Sequence, residues 1–236
     1  MTLKNIFAVI IVLIVSIGGV IFWQKNTVSV VNQNSSNNKD YRLGSDKIIV
    51  FDTQDNREIT TIDLSAKEGN FTIPFNPHDV ILSPDKKNVW VTITAPQKQI
   101  QLMNKALVEK TEGDHHIMMA TDQIAIINAV TDKIVRRIQI GVSLDVADLI
   151  FTPDSKSLYV AAETGNAIYK IDTKTFKVTD LIQLPPESNP HQLTISADDT
   201  KLYARNAAKN KTFLINTKTN AIQKSNETKA LPWSSH

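Results

Sequence analysis

Cysteine is absent from the 236 residues. That removes disulfides, thiolate metal sites and covalent C-x-x-C-H haem attachment together. An exported protein fits the absence, and so do many cytosolic ones. Excess charge of one sign is also lacking: 26 Lys and Arg against 24 Asp and Glu leave a formal net charge of +2. No run of Lys or Arg forms a patch, so nucleic acid is not an expected partner. There is no G-x-S-x-G elbow, P-loop or H-E-x-x-H. No residue is therefore assigned a catalytic role.

What is present begins with an apolar run. Ile6 to Trp23 holds 18 residues without a charge, preceded by Lys4 and followed by Lys25. This is near the ~20 residues a helix needs to cross a bilayer, and Trp23 stands where aromatic residues favour the interface. The expectation is an uncleaved anchor over 6–23. Residues 1–5 would then lie in the cytoplasm and the bulk of the chain outside it, in the periplasm or at the cell surface. A cleaved signal peptide is the competitor, because Ser16, Gly18 and Gly19 are small. Residues 24–45 are rich in Asn and Ser and read as a polar tether, in which Val28 to Val31 offers a degenerate strand. Sequons occur at Asn34, Asn70, Asn210 and Asn226.

The strongest signal is a repeat. Leu144 to Leu184 reads as four short strands broken by turns at Thr152-Pro153-Asp154-Ser155, Glu163-Thr164-Gly165-Asn166 and Asp172-Thr173-Lys174-Thr175. A shift of 44 residues lays Thr152 on Ser196, Tyr159 on Tyr203, Asp172 on Asn216 and Thr175 on Thr219. The same shift backwards finds Asn128 and Thr131, whereas Ser83-Pro84-Asp85 and Trp90 lie 69 residues before their counterparts. The excess of 25 residues marks an insertion, bounded here as 96–122. An earlier unit shows only its third and fourth strands, at Lys47–Asp52 and Glu58–Leu64. The count is three good units and one partial unit over 46–227, with a tail at 228–236. Such spacing without intervening helices predicts an all-β fold. It would be a β-propeller-like array of four-stranded antiparallel blades, preceded by one transmembrane helix.

Three stretches carry a further likeness: Pro77-His78…Ser83-Pro84-Asp85…Val89-Trp90-Val91-Thr92, Thr152-Pro153-Asp154…Leu158-Tyr159-Val160, and Asn189-Pro190-His191…Leu202-Tyr203. With the turns at Asn128, Asp172 and Asn216, they resemble the YVTN-type β-propeller repeat. The resemblance implies a ring of about seven blades, more than this chain supplies. A small ring, a half ring completed by another copy, and a truncated product all stay open. Similar propellers include lactonases, and related domains hold haem or copper. Neither activity transfers here residue by residue, and the multi-histidine copper cluster needs more histidines than the five present.

Apart from His236, the histidines fall into two sets. His78 and His191 share one repeat position, where the third unit has Ala147, and Asp79 and Asp148 share the next. They form the candidate ligand-binding mouth, either as imidazoles offered to a metal, haem or substrate or as supports for a turn. In the insertion, Ile100, Met103, Ala106 and Leu107 fit one helical face, with Gly113 as a stop. Asp114-His115-His116-Ile117-Met118-Met119 follows. Imidazole with thioether suits copper, so His115, His116, Met118 and Met119 are the candidate metal ligands. The other reading is a loop that packs against a blade and meets a partner.

These observations converge on a membrane-anchored extracytoplasmic scaffold that is non-catalytic, needs no cofactor, and binds a protein or glycan partner. The repeat count also allows a homo-oligomer that completes the ring. The rival is a copper- or haem-associated redox subunit, or a lactonase-like hydrolase.

Overall fold

The computed structural model describes residues 29–31, 38–68, 71–110, 121–206 and 208–227. The proposed anchor at 6–23, the tail at 228–236, and His115, His116, Met118 and Met119 lie outside them. Among the described residues no helix is long and apolar enough to cross a membrane.

Four four-stranded antiparallel sheets follow one another along the chain. The first contains β1 (Ser29–Val31), β2 (Lys39–Leu43), β3 (Lys47–Asp52) and β4 (Glu58–Asp63). A small hairpin, β5 (Ala66–Glu68) and β6 (Phe71–Ile73), leads into the second sheet. This has β7 (Asn76–Leu82), β8 (Asn88–Thr94), β9 (Asp122–Asn128) and β10 (Lys133–Gly141), with helix α1 (Gln97–Lys110) between β8 and β9. The third sheet has β11 (Val146–Phe151), β12 (Ser157–Ala162), β13 (Ala167–Asp172) and β14 (Lys177–Gln183). The fourth has β15 (Gln192–Ile195), β16 (Lys201–Asn206), β17 (Lys211–Asn216) and β18 (Ile222–Glu227). In every sheet the strands pair in chain order, up and down, and the first strands of successive sheets lie side by side. The array is blade-like. The first unit is complete, with β1 and β2 falling inside the stretch read as a tether.

The turns explain the repeat. At the bend between first and second strands, Ser83, Thr152 and Ser196 each donate a hydroxyl hydrogen bond to Asp85, Asp154 and Asp198, at 2.6, 2.8 and 2.6 Å. Between third and fourth strands, the side-chain oxygens of Asn128, Asp172 and Asn216 accept backbone N–H groups two and three residues on. These Asx turns suit Asn and Asp because a short acceptor reaches its own downstream backbone. Each ends on a left-handed residue, Asp132 (φ 55°), Phe176 (φ 60°) and Asn220 (φ 57°).

The apolar interior is divided into three clusters, each lying between adjacent sheets. Tyr41, Ile48 and Val50 of the first sheet meet Val89, Val91 and Ile127 of the second. Trp90, Ile124 and Ile126 meet Leu158, Val160 and Ile171. Tyr159, Ile150 and Ile168 meet Leu202, Ala204 and Ile215. Alternation along each strand sends one residue to each neighbour, and every large side chain so buried is worth ~1.5–3 kcal/mol. The outward faces of the array differ. Where β8, β12 and β16 present Val89/Val91, Leu158/Val160 and Leu202/Ala204, β2 presents Asp40 and Arg42, paired at 2.7 Å. On the other end, Thr194, Arg205 and Thr212 of the fourth sheet replace Ile150, Ala161 and Ile168 of the third.

Candidate binding surface at one end of the array

His78 and His191 come together. Their ring centroids are 5.0 Å apart and their planes meet at 64°, edge to face. His78 is the extra residue of a bulge in β7, between the Pro77–Ile93 and Asp79–Thr92 pairs; a bulge re-aims a side chain in this way. His191 precedes β15 and is tied by its N–H to the Arg205 carbonyl at 2.9 Å. The two imidazoles thus come from the second and fourth sheets, and the intervening copy supplies the buried Ala147. Burial lowers the His78 pKa, the neighbouring His191 adds to the effect, and Asp145 and Asp79 pull the other way. Glu163 also faces the pair: burial raises its pKa, and His191 opposes the rise. Two imidazoles and two half-buried carboxyl groups line this mouth.

Asp79 and Asp148 sit one layer deeper and join sheets. Asp79 accepts from the N–H of Val80 at 2.8 Å and of Leu149, in the next sheet, at 3.3 Å. Asp148 accepts from the N–H of Leu193, again one sheet on, at 2.6 Å. Burial pushes the Asp148 carboxyl up to about 8, helped by a side-chain hydrogen bond and the charge of Asp79. The two carboxyl groups face each other, and a proton held between them relieves their repulsion. Thr92 completes this layer, donating its hydroxyl to the Ala147 carbonyl at 2.7 Å while accepting the Asp79 N–H at 2.9 Å.

Sequence reasoning missed Asp122. It closes the insertion, 1 % exposed, and its carboxylate takes three backbone N–H groups: Ala95 at 2.8 Å, Leu144 at 2.7 Å and Asp145 at 2.7 Å. Burial raises its pKa, and those three donors oppose the rise. An Asp at the head of a strand looks like any loop acid, so only the fold could reveal it. Its effect is to fasten the root of α1 to the 142–145 loop. That loop carries two left-handed non-glycine residues, Ser143 (φ 54°) and Asp145 (φ 52°). It is held by the N–H groups of Glu163 and Thr164, on the Asp145 and Leu144 carbonyls, both at 3.0 Å. Gly141 precedes the loop, and a Cβ there would stand 2.5 Å from Leu144 Cδ1 and push that side chain aside. The helix root, Asp145, Glu163 and the histidine pair therefore share one end of the array.

Helix α1 occupies the first half of the insertion as the sequence predicted, with Ile100 buried in the first cluster and Leu102 61 % exposed. Among the described residues no group of three or more His, Asp or Glu is placed to hold a metal ion.

No family model matches the chain, and no curated protein matches it. Among solved structures, hydrazine synthase from Kuenenia stuttgartiensis is similar in fold at 16% sequence identity and a TM-score of 0.44. The match covers 76% of this chain and 62% of that one, so it leaves more than a third of the larger chain without a counterpart. At this score the likeness says nothing of chemistry here.

Proposed function

We propose that this chain is a membrane-anchored, extracytoplasmic β-propeller-like scaffold of the YVTN type, which binds a protein partner without catalysis. The observation that carries the binding reading is the Asp122 clamp, which joins the root of the insertion to the loop bearing Asp145 beside His78 and His191. A helix with an outward Leu102 and an acidic mouth then form one continuous docking end on a rigid support. Loops on a stacked-sheet scaffold are the usual carriers of recognition. The anchor rests on the uncharged run at 6–23 and the flanking lysines. The test is crosslinking in native membranes with the intact chain, a variant lacking 98–120, and a His78→Ala/His191→Ala variant. The insertion deletion is expected to abolish the specific crosslinked species and the histidine variant to weaken it. An unchanged set of species in the deletion variant would sink the reading.

A second reading draws on the contact between the two histidines. Imidazoles this close suit a shared copper or haem iron, with His115, His116, Met118 and Met119 as further donors, in a redox subunit. Metal content and visible absorption of the protein, purified without chelators, separate the two readings. About one metal per chain, lost with His78→Gln/His191→Gln, would favour the second; a colourless, metal-free folded protein favours the scaffold.

A further inference from the structure

The joints between sheets repeat two contacts. An aromatic hydroxyl from the second strand of one sheet donates to a turn carbonyl of the next: Tyr41 to Ala129 at 3.1 Å, and Tyr159 to Thr217 at 3.5 Å. An inner-strand aspartate accepts the inner-strand N–H of the next sheet: Asp79 from Leu149, and Asp148 from Leu193. The fourth sheet carries the next member of each series on its outward face, Tyr203 and Gln192. Tyr203 is half-buried, whereas Tyr41 and Tyr159 are 0% exposed. The Gln192 Oε1 is buried and has no hydrogen-bond partner among the described residues. Both await backbone groups of a further sheet.

The first sheet of the chain offers both groups. Ser29 stands opposite Arg42 as Leu149 stands opposite Val160, so its N–H holds the place of the Leu149 donor. Thr53 belongs to a turn closed by its N–H on the Asn38 carbonyl at 2.9 Å, matching Ala129 on Lys87 at 2.9 Å and Thr217 on Thr200 at 3.3 Å. Within one chain the two end sheets make no substantial contact among the described residues. We propose that the outward face of the fourth sheet receives the first sheet of a second copy of this chain. Two copies then close a single ring of four plus four sheets about a twofold axis. Closed twofold association is the commonest homo-oligomer, and such a ring is at the upper end of the usual propeller range of ~4–8 blades. The polar residues on both faces fit a contact that opens and closes, because reversible interfaces are more polar than permanent cores.

The absence of cysteine allows a clean test in membranes with the full chain. Arg42→Cys and Arg205→Cys, placed on the two outward faces, are produced together in copies bearing tags of different length and treated with a short bismaleimide. A mixed crosslinked dimer is expected from this pair. Val135→Cys, on the outer edge strand β10 and 57% exposed, should give none with either. A chain carrying both Arg42→Cys and Arg205→Cys should stop at the dimer. No mixed product, an equal yield with Val135→Cys, or a ladder of higher species would overturn the ring. Sedimentation of the unaltered chain in detergent gives an independent reading. Two chains per particle, falling to one on dilution, are expected, and a single chain at every concentration would overturn the proposal. Neither readout involves the insertion or its partner, so this proposal and the binding reading can fail separately.

Discussion

Asp122→Ala removes the one group that satisfies the N–H groups of Ala95, Leu144 and Asp145. A buried donor left without a partner costs ~1–3 kcal/mol. The Ala95 bond is buried and the other two are partly buried, where water recovers some of the loss. The expected total is therefore about 3–4 kcal/mol rather than the full sum. Against a net stability of ~0.05–0.15 kcal/mol per residue this is about a tenth to a third of the total for 236 residues, and ~2–4 °C in Tm per kcal/mol makes it about 6–16 °C. Asp122→Asn keeps one acceptor oxygen and sheds a buried charge whose pKa burial has already raised. Its loss should be less than half that of Ala. Urea unfolding followed by tryptophan fluorescence reads both, because Trp90 is 2 % exposed in the second joint. If Asp122→Ala shifted the midpoint by less than the equivalent of ~1 kcal/mol, the clamp would not be holding the insertion root.

Three further outcomes are expected. Asp148, with its carboxyl raised from 3.8 to about 8, binds a proton in the folded state that the unfolded chain has released. Stability from this group is full below the lower value and falls as pH rises to the upper one. Asp148→Asn should flatten that fall in urea titrations at pH 5, 7 and 9, and an unchanged slope would contradict the shared proton. His78 behaves in the opposite sense, because its pKa is lowered. The folded state loses stability as pH falls through the imidazole range, and His78→Gln should remove that loss. Trp90, edge-on to Phe151 at 5.5 Å and stacked on Phe176 at 5.8 Å, should cost ~3–5 kcal/mol when replaced by Ala, seen as a lower urea midpoint by circular dichroism.

The repeat was legible because its markers perform local jobs. Asn128, Asp172 and Asn216 close turns on their own backbone, and Trp90, Tyr159 and Tyr203 hold one place in the second strand. The first sheet was harder to read for a physical reason. Asp40 and Arg42 occupy places that are apolar in the other sheets, on a face that meets no other sheet among the described residues, so the continuous apolar run of β8 and β12 shrinks to the short alternation Asp40-Tyr41-Arg42-Leu43 beside an Asn- and Ser-rich stretch. Tyr41 and Leu43, packed on the cluster shared with the second sheet, kept the pattern. The meeting of His78 and His191 was visible as a shared repeat position, but their distance was not. Asp79 and Asp148 were read as lining a mouth, whereas their contacts also tie successive inner strands. The hairpin of β5 and β6 carried no repeat marker, and Asp122 acts through backbone groups far away in sequence, which no local motif records.

That the apolar clusters formed by the described residues lie between sheets bears on how the protein comes apart. Among the described residues of a single, dissociated chain, the second and third sheets are gripped on both sides, the first and fourth on one. In such a one-dimensional stack the free energy is a sum over neighbours, so opening should begin at the ends and travel inward. Amide exchange would then be slowest in β8, β9, β12 and β13 and faster in β2 and β16. A lesion such as Trp90→Ala weakens the joint between the second and third sheets, so the protection of β8, β9, β12 and β13 should fall toward that of the end sheets as the urea midpoint drops.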